Sequence, residues 1–180
     1  MLKQSFLLFL LIAVSSIYAQ EWTQDKIKTQ VSFKIKNFGV NVDGDFSDVE
    51  IKTNFDSTNI QNSYINAVIS VKSISTGIES RDEHILEEDY FDEPNHKQIS
   101  LESTKIDMEE DGDYLLHANL TIKGITTKIK IPFIALLVND NLVIKASFKI
   151  NRKDYKVGGG SFVMGKNVTI KVQYTGNKSN

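Results

Sequence analysis

Alternation of apolar and polar residues is the feature that most limits how this chain folds. In segment 142–150, apolar residues occupy every second position, and Lys145 and Lys149 lie between them. The same period of two occurs in four other segments: 31–36, 64–71, 114–122 and 168–174. A period of two places the apolar residues on one face of a strand. Seven or eight such segments joined by tight turns predict an all-β domain, a single antiparallel eight-stranded barrel, rather than βαβ units.

Local turn signals predict how these strands connect. The pair Asp43-Gly44 predicts a hairpin turn, after which 46–51 pairs back on the preceding strand. Two short strands are predicted at 98–103 and 106–108. Pro132 lies within an alternating segment and places that strand at an edge or a bulge, because proline has no N–H to donate.

One segment, 73–92, interrupts the strands, and we call it the flap. Gly77 ends an extended stretch, since glycine readily takes the positive φ of a turn. Ser80 precedes acidic residues and an apolar pair, which predicts the start of a short helix. Pro94 prevents the helix from continuing far. The flap is therefore predicted to be a short helix with polar and aromatic residues between two strands.

The N-terminal segment 1–19 has the pattern of a signal peptide. Lys3 is followed by the apolar run 6–14 and by a short segment that ends at Ala19, which predicts cleavage there. The apolar run is shorter than the roughly 20 residues that a membrane helix needs, so no stable membrane insertion is expected. We predict a periplasmic or secreted protein with one domain, 20–180, held together without disulfides because the chain has no cysteine.

Several functional classes are disfavoured by composition and motifs. A net charge of -2 argues against nucleic-acid binding. The chain has no cysteine and no nucleophile-elbow motif, and the glycines at 158–160 lack the lysine of a phosphate loop. His84, His96 and His117 lack metal-ligand spacing. We therefore predict no catalytic residues and no metal site, and a hydrolase or isomerase that uses Asp82 and His84 is the weakest hypothesis.

Four sequence blocks resemble one known family. Within the flap, Ser-Ile-Ser-Thr-Gly (73–77), Arg-Asp-x-His (81–84) and Asp-Tyr-Phe-Asp (89–92) resemble the signature of the YceI-like family of lipocalin-like periplasmic proteins associated with polyisoprenoid binding. Three further blocks resemble the same family: 42–46 before the flap, and 120–126 and 150–155 after it. All four stand in the order of that family. The chain departs from the family pattern at His96-Lys97, where a Tyr-Pro pair is usual, and at Lys156, where glycine is usual. The resemblance implies a lipocalin-like barrel with one short helix.

The residues that are expected to point inward from the strands are apolar. From the residues alone, the simplest interpretation is a packed core. The resemblance implies instead a tunnel for an isoprenoid lipid, such as ubiquinone, menaquinone or polyprenyl phosphate, with no other cofactor. The predicted lining is Phe33, Ile35, Ile69, Val71, Leu120, Ile122, Phe133, Ile144, Phe148 and Ile170.

Polar and aromatic residues of the flap are candidates for the mouth of this tunnel. Arg81 would bind a carbonyl or phosphate, with Asp82 and His84 positioning it. Tyr90 and Phe91 would cover the entrance, and Arg152 would lie nearby: the six predicted mouth residues are Arg81, Asp82, His84, Tyr90, Phe91 and Arg152. The alternative is that these polar side chains only tether the flap, with Arg152 paired to its acids.

A second function also fits the sequence. In this alternative the protein is a stress-related adaptor or structural protein with a closed core, and the flap binds another protein. A homodimer is compatible with either function.

Overall fold

The computed structural model describes residues 21–178. This part of the chain contains eleven strands, one α-helix and three short 3-10 turns. The strands are β1 Trp22–Gln24, β2 Gln30–Asn37, β3 Val40–Phe46, β4 Val49–Thr53, β5 Ile65–Ser70, β6 Ile74–Ser75, β7 Gln98–Met108, β8 Tyr114–Ile122, β9 Ile125–Val138, β10 Asn141–Asn151 and β11 Met164–Lys178. The helix is α1 Glu79–Ile85, and the 3-10 turns are Ile60–Asn62, Val71–Ser73 and Arg152–Tyr155. The predicted signal peptide, 1–19, lies outside the described residues.

All strands belong to one antiparallel, strongly curled sheet. Ten of them follow the order β4-β5-β7-β8-β9-β10-β11-β2-β3-β6, and β1 pairs separately with β11. β3 and β4 lie near opposite ends of this order, yet only Ser47 and Asp48 separate them in the chain. The sheet must therefore curl until its two ends meet. The prediction of an all-β, lipocalin-like barrel with one short helix is confirmed, but the structure has more strands than the eight predicted.

Gln24 joins β1 to β4, the strand at one end of the sheet. It lies on β1, which pairs with the C-terminal part of β11. Its side-chain Nε2 donates to the carbonyl of Val49 at 2.9 Å, and its Oε1 accepts from the amide of Ile51 at 2.7 Å. One side-chain amide thus replaces a backbone partner along the free edge of β4.

The turn predicted at Asp43-Gly44 is wrong, because both residues lie inside β3. The hairpin reverses instead at Phe38 and Gly39, whose φ angles of +50° and +79° suit a tight type I′ turn. Gly44 is paired with Phe33 on β2, and a Cβ on Gly44 would lie 2.3 Å from the ring. The glycine therefore makes room for an aromatic ring across the strand pair.

Three other strand predictions are revised by the structure. In the predicted segment 46–51, Phe46 pairs with Val31 on β2, but 49–51 belong to β4, which pairs with β5. The segments predicted at 98–103 and 106–108 form one strand, β7, whose pairing with β8 shifts register between Ser103 and Lys105. Such a bulge reverses the alternation and makes one strand look like two.

β9 is paired with β10 along only part of its length. The pairing runs from Val138 to Phe133, and Pro132 is the first residue beyond it. The predicted edge position of Pro132 is therefore confirmed on the β10 side. Residues 125–132 of β9 and 147–151 of β10 face each other without a ladder, and we call this the β9–β10 gap.

The two ends of the barrel differ in packing. The flap end carries the flap together with the β2–β3, β8–β9 and β10–β11 connections. At the far end, the rings of Phe55, Tyr114 and Phe133 contact one another with centroids 5.0 to 5.7 Å apart. Tyr174 is also buried there, and its hydroxyl donates to the carbonyl of Trp22 at 3.2 Å. The far end is therefore filled by aromatic side chains.

Tyr174 should make the fold lose stability at alkaline pH. Burial raises the pKa of Tyr174 to about 12, above its ordinary value of about 10. The folded state thus favours the neutral phenol, and this contribution to stability is present below about pH 10 and is lost as pH rises through about 12. Tyr174→Phe should cost about 1 kcal/mol near neutral pH, because the hydrogen bond is lost. It should also flatten the fall in stability above pH 10 or so.

Urea unfolding measured near neutral pH and at several alkaline pH values tests this prediction. Tyr90→Phe is the control, because Tyr90 is only partly buried and lies at the opposite end of the barrel, in the flap. An equally steep alkaline fall in Tyr174→Phe and in the unmodified protein would contradict it.

Candidate functional site

Two adjacent apolar cavities lie inside the curled sheet. Each has a volume of about 130 Å³. They adjoin, because they share five lining residues, Phe46, Ile99, Ile122, Ile150 and Ile170, and we call the two together the channel. We call them the inner cavity, toward the far end, and the outer cavity, beneath the flap.

Nine of the ten residues predicted to line a tunnel border this channel. Their alternation places them on the inward face of their strands. They are Phe33, Ile35, Ile69, Leu120, Ile122, Phe133, Ile144, Phe148 and Ile170. The tenth, Val71, lies in a 3-10 turn after β5, where it is buried against the smaller core cluster and does not border the channel. The role of all ten in ligand binding stays a prediction.

The flap covers the outer cavity with three apolar side chains. Tyr90 and Phe91, both predicted, border the cavity, and so does Ile85 at the end of α1. Helix α1 begins at Glu79, one residue before the predicted Ser80. Ile85 was not among the predicted mouth residues. The apolar pair Ile85-Leu86 at the end of the predicted helix was the sequence feature that could have indicated it.

Within the flap, Arg81 and Asp82 hold helix α1 to Thr76, the residue after β6. The carboxylate of Asp82 accepts from the amide of Thr76 at 2.9 and 3.1 Å, and from the Thr76 hydroxyl. Arg81 Nε donates to the same hydroxyl at 2.6 Å, and its Nη2 donates to the Thr76 carbonyl at 2.8 Å. Neither residue borders the channel. This geometry favours the tethering alternative over direct contact with a ligand.

His84 lies on the outer side of the flap. Its Nδ1 is 2.8 Å from the Glu87 carboxylate, and its ring packs edge-on against Tyr90 at 4.9 Å. The side chain is mostly exposed and does not border the channel. His84 therefore supports the position of Tyr90.

Arg152 is buried, with 3% of its surface exposed, and it borders the outer cavity. Its guanidinium donates to five backbone carbonyls: those of Val157, Gly158, Ser161, Met164 and Gly165. A guanidinium has five N–H groups, so all of them are used. Burial lowers the pKa of Arg152, although an arginine remains protonated at neutral pH.

The predicted pairing of Arg152 with the acids of the flap is wrong. Across residues 21–178, no carboxylate lies within 4.0 Å of its guanidinium. The 157–165 loop wraps around the side chain, so backbone carbonyls take the place of a counter-ion. The loop also reaches the flap, because the amide of Gly158 donates to the carbonyl of Asp89 at 2.8 Å.

Sequence reasoning missed several residues of the outer cavity. Tyr155, Val157 and Met164 border it, all within the β10–β11 connection or at its end. None lies in an alternating segment, so periodicity gave no signal for them. Tyr155 alone belonged to a recognisable block, 150–155.

Within the described part of the chain, no group of three or more His, Cys, Asp or Glu side chains is placed to hold a metal ion. No helix among the same residues has the length and apolar character to cross a bilayer.

Comparison with known families agrees with this architecture. The family described as "YceI-like domain" matches residues 22–175. The chain belongs to the YceI-like family. Among its curated relatives, a UPF0312 protein of Pectobacterium carotovorum is 30% identical over 139 residues, which cover 73% of this chain and 71% of the relative.

Solved structures share the fold. BcnA of Burkholderia cenocepacia superposes with a TM-score of 0.81 at 22% identity, covering 84% of this YceI-like chain and 98% of BcnA. A polyisoprenoid binding domain from Saccharophagus degradans superposes with a TM-score of 0.69 at 15% identity, covering 89% and 99% of the two chains. At these identities the likeness establishes the fold alone.

Replacement of Arg152 should destabilise the protein strongly. Arg152→Met leaves buried carbonyls without donors, so we expect a loss of about 3 kcal/mol or more. Arg152→Lys should recover only part of this loss, because an ammonium has three donors rather than five. Urea unfolding measures both. The control is Lys153→Met on the exposed neighbour, which should change stability by less than about 0.5 kcal/mol.

Asp82 should control local opening of the flap. Asp82→Ala leaves the Thr76 amide without its acceptor, so hydrogen exchange at that amide should accelerate. The control is Glu83→Ala, because Glu83 is exposed and one residue away. Equal exchange at Thr76 in both variants would contradict the tethering role.

Proposed function

We propose that this protein is an exported carrier that holds the tail of an isoprenoid lipid in the apolar channel. The observation that carries the proposal is the pair of adjoining cavities inside the barrel, whose lining is apolar apart from Arg152. The fold shared with a protein described as a polyisoprenoid binding domain supports the ligand class. The signal-like segment 1–19 supports a periplasmic or secreted location.

The head group would lie at the flap end. The far end is filled by Phe55, Tyr114 and Phe133, so a tail enters from the side of the flap. There it meets Tyr90 and Phe91 over the outer cavity. The buried charge of Arg152 favours a head with negative or partly negative oxygens, as in a quinone or a polyprenyl phosphate.

Burial of several isoprene units would be sufficient to drive binding. At about 0.8 kcal/mol per CH₂, one five-carbon isoprene unit contributes about 4 kcal/mol. Association costs roughly 4 to 15 kcal/mol, so two to four buried units or so give net affinity. The carrier function therefore requires space for several units.

The present volume holds less than that. A cavity of about 150 Å³ accommodates one benzene ring. Each cavity here is slightly smaller, so a longer tail must move the wall. The β9–β10 gap is one part of the sheet that can open without loss of a ladder hydrogen bond. Tyr155 currently fills this side, with its hydroxyl bonded to Thr127.

Native mass spectrometry of chain 20–180, expressed with export to a bacterial periplasm, tests the function. We expect an added mass that is lost on denaturation and recovered in an organic extract as an isoprenoid compound. A bare protein mass that stays unchanged after addition of ubiquinone, menaquinone and polyprenyl phosphate would refute the carrier function. That outcome would favour the adaptor hypothesis, in which the flap binds a protein.

Ala67→Phe should block the inner cavity. Ala67 borders it on β5, so a phenyl ring there fills volume that a tail would occupy. We expect at least a tenfold or so loss of affinity for a long isoprenoid and a smaller loss for a one-unit analogue. The control is Val68→Phe, because Val68 is adjacent on β5 and exposed. Titration with a fluorescent isoprenoid measures both, and equal affinities would place the tail elsewhere.

A further inference from the structure

Four exposed apolar side chains form a patch at the flap end, which we call the rim. Phe162 is fully exposed, Phe38 is 75% exposed and Val40 is 67% exposed, and Val163 is also exposed. The patch is continuous across two connections, because the amide of Phe38 donates to the carbonyl of Val163 at 3.0 Å. Large apolar side chains grouped in this way on a surface indicate an interaction site.

Four lysines accompany the rim on its two connections. Lys36, Lys153, Lys156 and Lys166 lie on the same two connections or on the strand ends beside them, and all four are exposed. In the described part of the chain, none of the four has a carboxylate within 4.0 Å. The acid nearest in sequence, Asp154, accepts from the Asn151 side-chain amide.

Charge divides the flap end into two sides. The flap, 73–92, contains seven acidic residues and one arginine. The rim side carries the four unpaired lysines. A negatively charged surface would therefore attract the rim and repel the flap, which fixes one orientation.

The rim is held rigidly next to the channel. Arg152 fixes the carbonyls of Ser161 and Met164, on either side of Phe162 and Val163. The side chain of Met164 itself borders the outer cavity. Whatever surface the rim contacts is thus brought to the mouth of the channel.

We propose that the rim docks on the surface of a bilayer with anionic head groups. Phe38, Val40, Phe162 and Val163 enter the interface between head groups and acyl chains, and the lysines contact the head groups. The flap then faces away from the bilayer. The inference rests on the proposed carrier function, since a protein that holds a bilayer lipid must exchange it with a bilayer.

Co-sedimentation of chain 20–180 with vesicles tests the docking. The vesicles contain either phosphatidylglycerol mixed with phosphatidylcholine, or phosphatidylcholine alone, and neither contains isoprenoid. We expect binding to the mixed vesicles that weakens with added salt and is much weaker without phosphatidylglycerol. The double variant F38S/F162S, and separately K36E/K166E, should each lower the partition coefficient about tenfold or more.

A matched control is available at the far end. Leu136 and Leu137 are also exposed, but they border a cleft that contains Asp140. L136S/L137S should leave vesicle binding unchanged. Circular dichroism and urea unfolding confirm that each variant is folded.

Three results would overturn the docking. One is absence of binding to the mixed vesicles, and another is an equal loss in F38S/F162S and L136S/L137S. The third is a dimer in sedimentation velocity that F38S/F162S dissociates while vesicle binding is unchanged, which would make the rim a contact between copies.

The carrier function and the docking can be refuted independently of each other. Vesicle binding without any lipid in native mass spectrometry would support the docking and refute the carrier. A captured isoprenoid without vesicle binding would support the carrier and refute the docking.

Discussion

The mouth of the channel depends on a buried cation that has no carboxylate partner among the described residues. Burying a charge costs several kcal/mol or so, and Arg152 offsets this cost by donating all five N–H groups to backbone carbonyls. Because those carbonyls belong to the loop before β11 and to the first two residues of β11, the loop has little freedom to move. The loop in turn binds the flap through Gly158 and Asp89. One side chain therefore positions the rim, the flap and the edge of the outer cavity together.

The channel exists because the two ends of the barrel are built differently. Small barrels are usually filled by their own side chains, and three aromatic rings do this at the far end. At the flap end, β9 and β10 separate beyond Pro132, and Tyr155 fills the space between them. Burial raises the pKa of Tyr155, and its hydroxyl contacts Thr127 on β9. On this side of the barrel, the Tyr155–Thr127 contact and apolar packing thus take the place of a ladder.

Period-two alternation predicted β2, β8, β10 and β11 because each has one buried face, and it predicted nine channel residues for the same reason. It failed where long-range packing decides. Gly44 gave a turn signal, but its role is to accommodate the ring of Phe33 across the strand pair. β1 and β6 have three and two residues, and their pairing partners lie far away in the chain. The bonds of Arg81, Asp82 and Arg152 depend on loop geometry, which local sequence does not determine.

The use of polar groups for internal bonds also limits how a ligand is recognised. Arg152 has no donor left, and Arg81 and Asp82 are bonded to Thr76 away from the channel. Under the proposed carrier function, a head group would therefore meet charge and aromatic surface rather than a set of directed hydrogen bonds. Discrimination by an apolar pocket is about 1 to 3 kcal/mol per methylene, whereas strong selection of polar groups requires directed partners. A channel of this kind should distinguish ligands by the length and shape of the tail, and accept several head groups.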